Sequence, residues 1–212
     1  MKDASTPAGP GRPKDPAKRL AILEAAKRLF VSNGYGNSSM DAIAAEAGVS
    51  KLTVYSHFTD KENLFTAAVK SKCEEQLPSL FFEFNQHSPI RDSLLAIGHG
   101  FHALINSEES VALHRLMVSQ AQHNPKLSQL FYEAGPQRIL DALENLLRQA
   151  NAAGSLRIAD PTRAAEHFLS LVKGAHNTRR LAGIDDTMPL NAVERHVQEV
   201  VALFLRAYRP DA

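Results

Sequence analysis

Ser50, Lys51 and Thr53 place a hydroxyl, a cation and a second hydroxyl within four consecutive positions, just after the Gly48-Val49 joint. Serine is a favoured helix cap, so these groups fall on the first turn of a short helix, where unpaired backbone amides already attract anions. Such a turn suits holding phosphate and meeting base edges. Bond-breaking chemistry has no comparable signature: paired Glu-x-x-His motifs, a nucleophile elbow and a phosphate loop are all missing from the sequence. Nine histidines raise the question of metal, and His99 and His102 fall on nearby helical positions. Metal sites usually set carboxylates or thiolates beside the imidazoles, and nothing of that kind clusters here, so neither metal nor cofactor is expected. Cys73 is the single cysteine, which excludes an internal disulfide and any multi-cysteine metal site. A small buried apolar role for it competes with redox sensing.

The elements that must position these groups read as helices. Residues 1–15 are rich in Pro, Gly and small polar side chains and predict a flexible basic arm. From Pro16 to about Asn33, Ile22, Ala26, Leu29 and Phe30 recur on one helical face, and Asn33-Gly34 supplies the stop. Ser39 caps a second helix carrying Met40, Ile43, Ala44 and Ala47, which Gly48 ends. Ser50 caps a third, Lys51 to about His57, with Val49, Val54 and Phe58 directed to the core. Asp60 opens a long fourth helix that carries Leu64, Phe65, Ala68, Val69, Leu77 and Leu80. Two short helices around a tight glycine turn predict a helix-turn-helix, whose second helix enters the major groove with its N-terminal residues at the base edges. Lys51, Leu52 and Thr53 are therefore the base-edge candidates, with Ser50 at the phosphate-binding end.

Five further helices are predicted beyond Asn85. They open at Ser88-Pro89, at Glu108 (to Gln122), at Lys126 (to Ala153), at Asp160-Pro161, and at Asn191, which with Glu194 has the form of a capping box. No strand-like alternation occurs. The expectation is an all-α chain of about nine helices: a helix-turn-helix domain over 16–59 and a helical domain over 60–212.

Of the 212 residues, 44% are apolar and 22% charged, the mixture of a soluble globular protein. No apolar run approaches the roughly 18 residues of a membrane span, and the first twenty residues lack an apolar signal core, which points to the cytoplasm. The net charge of +1 announces no partner by itself, but residues 1–20 alone carry +3. Within that arm Arg12 could enter an A·T-rich minor groove; an idle solubilising tail is the competing reading.

From Ile22 to Val69 the chain resembles the DNA-binding domain of the TetR family, most densely in Val49-Ser50-Lys51-Leu52-Thr53-Val54-Tyr55-Ser56-His57-Phe58 followed by Lys61-Glu62-Asn63-Leu64. The C-terminal half is similar to the AefR-like branch through LFYEAGPQRIL (130–140) and ADPTRAAEHFLSLVKG (159–174). The resemblance implies a transcription regulator, most simply a repressor, that binds a palindromic operator in double-stranded DNA as a homodimer paired through its last two helices. It implies phosphate contacts from Tyr55 and His57, flanked by Ser39 and Lys61. Tyr55 as a core aromatic and His57 as an ordinary surface residue are the competing readings. Leu52 departs from the small residue or proline many relatives carry there; it either meets a thymine methyl or crowds the groove, so no operator can be borrowed. Helices four to eight would enclose a largely apolar small-molecule pocket, with Phe101, Leu104, Ile105, Met117, Phe131, Phe168 and Val172 as walls and His102, His114, Gln120 and Asn177 as polar groups. Ordinary core is the rival reading for each. A DNA-binding regulator without a ligand, controlled by a protein partner or by abundance, is the alternative function.

Overall fold

A computed structural model describes residues 15–78, 89–184 and 188–210, and these are helical with no strands. The chain divides into two compact units, at Phe65/Thr66. The division falls later than residue 59 because Leu64 and Phe65 are buried in the N-terminal core, Phe65 edge-on to Phe30 and Tyr35 at 5.4 and 5.3 Å.

The N-terminal unit contains α1 (Pro16–Ser32), a single turn α2 (Gly34–Asn37), α3 (Met40–Glu46), α4 (Lys51–His57) and the start of α5 (Lys61–Gln76). Asp15 caps α1 by accepting the Ala17 amide, and Pro16 occupies the first helical position, where its missing N–H is harmless. Ser39 and Ser50 cap α3 and α4 through the amides of Ala42 and Thr53, each at 3.1 Å. Between these two helices Gly48 takes φ +65°, a conformation other residues adopt only with strain. The short helices close over Ile22, Phe30, Ile43, Val54 and Phe58, all buried.

The C-terminal unit holds the rest of α5, then α6 (Ile90–Asn106), α7 (Glu108–Gln120), α8 (Pro125–Tyr132), α9 (Arg138–Ala152), α10 (Pro161–Leu181) and α11 (Leu190–Ala207). Its core gathers Leu94, Ile97, Leu143, Leu147, Phe168, Val197 and Phe204. Gly98 lets α6 approach α11 closely, since a Cβ there would sit 2.7 Å from the Val197 side chain.

Four sequence expectations change. Helix α5 stops at Gln76, because Pro78 cannot continue it, and Leu80 lies outside the described residues. The predicted seventh helix is interrupted by a π-helical turn over Glu133–Gln137, where the interior Pro136 cannot donate an ordinary helical hydrogen bond. Helix α10 breaks at Gly174 (φ 55°, ψ −172°). The Asn191–Glu194 capping box does not form: Pro189 stands at the cap, so Asn191 is already inside α11, and Glu194 instead reaches His99 at 3.1 Å.

Candidate functional site

On the N-terminal unit, Ser39, Lys51, Tyr55 and Lys61 meet around one shallow concavity of about 330 Å³, together with Met40, Asp41 and Asp60. Leu52 stands out from α4 at 80% exposure and Tyr55 at 42%, so Tyr55 is no core aromatic. Its hydroxyl makes no hydrogen bond to the described residues. Thr53 pairs its hydroxyl with that of Ser50 at 2.8 Å. The Lys51 ammonium lies 2.8 Å from Asp41 on α3, and that carboxylate raises the lysine's pKa through the hydrogen bond and the charge. Lys61 donates to the carbonyls of Tyr35 (2.9 Å) and Gly36 (3.4 Å) with its ammonium over the Tyr35 ring, which leaves one N–H for an outside acceptor. His57 is half-buried at the end of α4 and does not line the concavity. Arg12 lies outside the described residues.

The C-terminal unit holds a second feature, a partly open cavity of about 240 Å³ among α5 to α10. Its walls are mainly apolar, with Phe101, Leu104, Ile105, Leu113, Phe131, Ile139 and Leu169 contributing. The π turn brings Gly135 and Pro136 to the wall, and Gly135 is what permits it: a Cβ there would meet Val69 at 3.1 Å. Polar groups are few. Lys72 is engaged by Glu109 at 2.6 Å, and Asn177, buried, directs its amide hydrogens to the Ile105 carbonyl and the Asn106 side chain. Lys173 has no acidic partner among the described residues. His114, edge-on to Phe131 at 6.2 Å, has its pKa lowered by burial and then by the Lys173 charge. Cys73 also lines the space, and burial pushes its thiol up to about 11, so it is protonated and poorly nucleophilic at neutral pH.

Two family profiles cover most of the chain. Residues 22–68 match "Bacterial regulatory proteins, tetR family" and residues 92–210 match the C-terminal domain of AefR-like transcriptional repressors. The chain belongs to the TetR family of DNA-binding transcriptional regulators. It is similar in structure to a TetR-family regulator from Mesorhizobium loti, at 29% identity and TM-score 0.75 over 92% of this chain and 99% of the other. The flavonoid-responsive regulator FrrA is 33% identical with TM-score 0.70, over 92% and 98% of the two chains. Among curated proteins, the transcriptional repressor AcnR of Corynebacterium diphtheriae is 27% identical over 87% of this chain and 91% of its own. These relatives are regulators of transcription, not enzymes.

Within this TetR-family chain, the cavity brings together Phe101, Leu104, Ile105, His114, Phe131 and Asn177 of the residues expected at a pocket. The other five lie elsewhere. Phe168 and Val172 are fully buried in the α6–α10–α11 core, with Phe168 edge-on to Phe204 at 5.2 Å. His102 stacks on His176 at 5.6 Å, Met117 is buried away from the cavity, and Gln120 ends α7. Sequence reasoning missed Lys72, Lys173 and the π turn. The turn had a signal in Gly135-Pro136 inside an otherwise helical pattern, while nothing local marks a lysine on an amphipathic helix as lining a cavity. No three His, Cys, Asp or Glu side chains are grouped to hold a metal among the described residues, and no described helix is long and apolar enough to cross a membrane.

Proposed function

We propose that the protein is a repressor that binds a palindromic operator as a homodimer and is released by a small, largely apolar ligand. One observation carries this reading: α5 begins at Lys61, which borders the α4 concavity, and further along the same helix Val69 and Cys73 line the apolar cavity. In this reading α4 enters the major groove, with Lys51, Leu52 and Thr53 toward base edges, while Ser39, Ser50, Tyr55, His57 and Lys61 contact phosphate. Arg12 would follow the arm into the minor groove. Leu171 on α10 and Leu203 on α11 are large apolar side chains left 39% and 46% exposed, in keeping with a two-fold interface through those two helices. Two copies would then present α4 at roughly one turn of DNA, about 34–36 Å. The relatives' names agree, one a repressor and one flavonoid-responsive.

The test is footprinting of the purified protein on genomic fragments, with its mass in solution measured alongside. A symmetric footprint occupied by a dimer and lost on adding a compound that raises the melting temperature is the expected result. A monomer bound to an asymmetric site, or a protein that no compound in a broad thermal-shift screen stabilises, favours control by a partner protein instead.

A further inference from the structure

Taking the cavity as the effector site, its chemistry narrows what the effector is. Among the described residues no Asp or Glu lines it, whereas two lysines do. Lys72 is neutralised by Glu109, but Lys173 faces the cavity with no carboxylate partner among the described residues. His114, edge-on to Phe131, also lines the cavity, together with Phe101 and Leu104. A neutral apolar ligand that displaced water from the Lys173 ammonium would leave that charge without a partner, which is unfavourable. An anionic one would pair with it. The volume, about 240 Å³, falls below the roughly 300–1,000 Å³ usual for drug-sized ligands, so the occupant is compact.

We infer that the effector is a compact organic acid, its single carboxylate or phenolate paired with the Lys173 ammonium and its apolar body held among Phe101, Leu104 and Phe131. His114, kept neutral by burial and by Lys173, gives the same anion one N–H. Asn177 has both amide hydrogens engaged and offers only its carbonyl oxygen, which suits a ligand hydroxyl better than a second anion.

The experiment compares 2-naphthoic acid with its neutral near-isostere 2-naphthamide by calorimetric titration of the full-length protein. Four proteins are used: wild type, Lys173→Met, Lys72→Met and Leu104→Trp, each checked for an unchanged helical spectrum and melting transition. Wild type should favour the acid by at least roughly tenfold, the scale of one charge-assisted hydrogen bond. Lys173→Met should erase that preference and still bind the amide; Lys72→Met should keep it; Leu104→Trp should lose both compounds. Equal binding of acid and amide to wild type, or a preference that survives Lys173→Met, overturns the acid assignment while leaving the cavity as the effector site. If neither compound binds wild type, or Leu104→Trp binds both unchanged, the assignment and the effector-site reading fail together.

Discussion

His196 donates its Nε2 hydrogen to the carbonyl oxygen of Val172 at 3.0 Å, spanning from α11 to the segment of α10 just before its break at Gly174. A carbonyl can only accept, so the Nε2 nitrogen carries the hydrogen. The same ring closes the space over Gly174, where an added Cβ would meet it at 3.3–3.4 Å. The break is thus held from the neighbouring helix, and it lies next to Lys173 on the cavity wall.

Gly174→Ala should therefore destabilise the fold by about 1–3 kcal/mol, since φ +55° with ψ near 180° is essentially a glycine conformation. His196→Ala should cost about 1–2 kcal/mol through the lost hydrogen bond to a part-buried acceptor. Urea denaturation measures both. The double variant should lose less than the two added together, because removing the ring relieves the clash with the new methyl group. A Gly174→Ala protein with the wild-type midpoint would show that the break is not required.

His102 supplies a pH dependence. It is 5% exposed, parallel to His176 at 5.6 Å and 6.1 Å from His196, while His99 nearby pairs with Glu194. Burial first, and then the neighbouring histidines, lower its pKa to about 4 from 6.5. The unfolded chain consequently takes up this proton before the folded one does. The contribution is complete above pH 6.5 and is lost as pH falls toward 4. His102→Phe should flatten the fall in stability between pH 6.5 and 5, measured by urea denaturation at each pH. Parallel profiles for the two proteins in that window would rule His102 out as the cause.

For DNA, Thr53→Val removes a hydroxyl while leaving the Ser50 cap on the Thr53 amide, so it should change sequence preference and spare affinity for random DNA. Tyr55→Phe should weaken all sequences alike, and Lys61→Ala should lower the salt slope by about one unit. Because Lys61 also holds the Tyr35 and Gly36 carbonyls, its variant should lose some stability as well. Asp41→Asn frees Lys51 and should tighten binding to every sequence. Equal losses on operator and scrambled DNA for Thr53→Val would remove that residue from the base-reading set.

These contrasts show where the sequence is readable. The capped helices around Gly48 were visible because Ser39, Ser50 and the glycine act locally, within a turn of themselves. Apolar periodicity likewise marked Phe168 and Val172 as inward-facing, but it cannot tell a wall from a core; both are fully buried and neither lines the cavity. Lys173 was invisible for a different reason. Its environment depends on α7 packing against α10, a tertiary fact, and on a break at Gly174 that a single glycine in a helical pattern signals only weakly.

Induction gives the last prediction. A ligand against Val69 and Cys73 presses on α5, the helix that begins at Lys61, so ligand and operator should oppose each other through one conformational equilibrium. The opposition must be reciprocal: whatever factor the ligand takes from operator affinity, operator takes from ligand affinity, commonly about 1–3 kcal/mol. Filling the cavity should imitate the ligand. Leu104→Phe or Leu104→Trp puts bulk into the cavity, whereas Met117→Phe adds similar bulk at a buried position that does not line it and controls for overpacking alone. Operator affinity, dimer mass and melting temperature are then measured for each. A folded Leu104 variant with weakened operator binding, beside a Met117 variant that binds normally, is the expected pattern. If both substitutions weaken binding in proportion to lost stability, the effect is general overpacking. If neither does, and a cavity ligand binds equally to free and operator-bound protein, α5 does not couple the cavity to DNA.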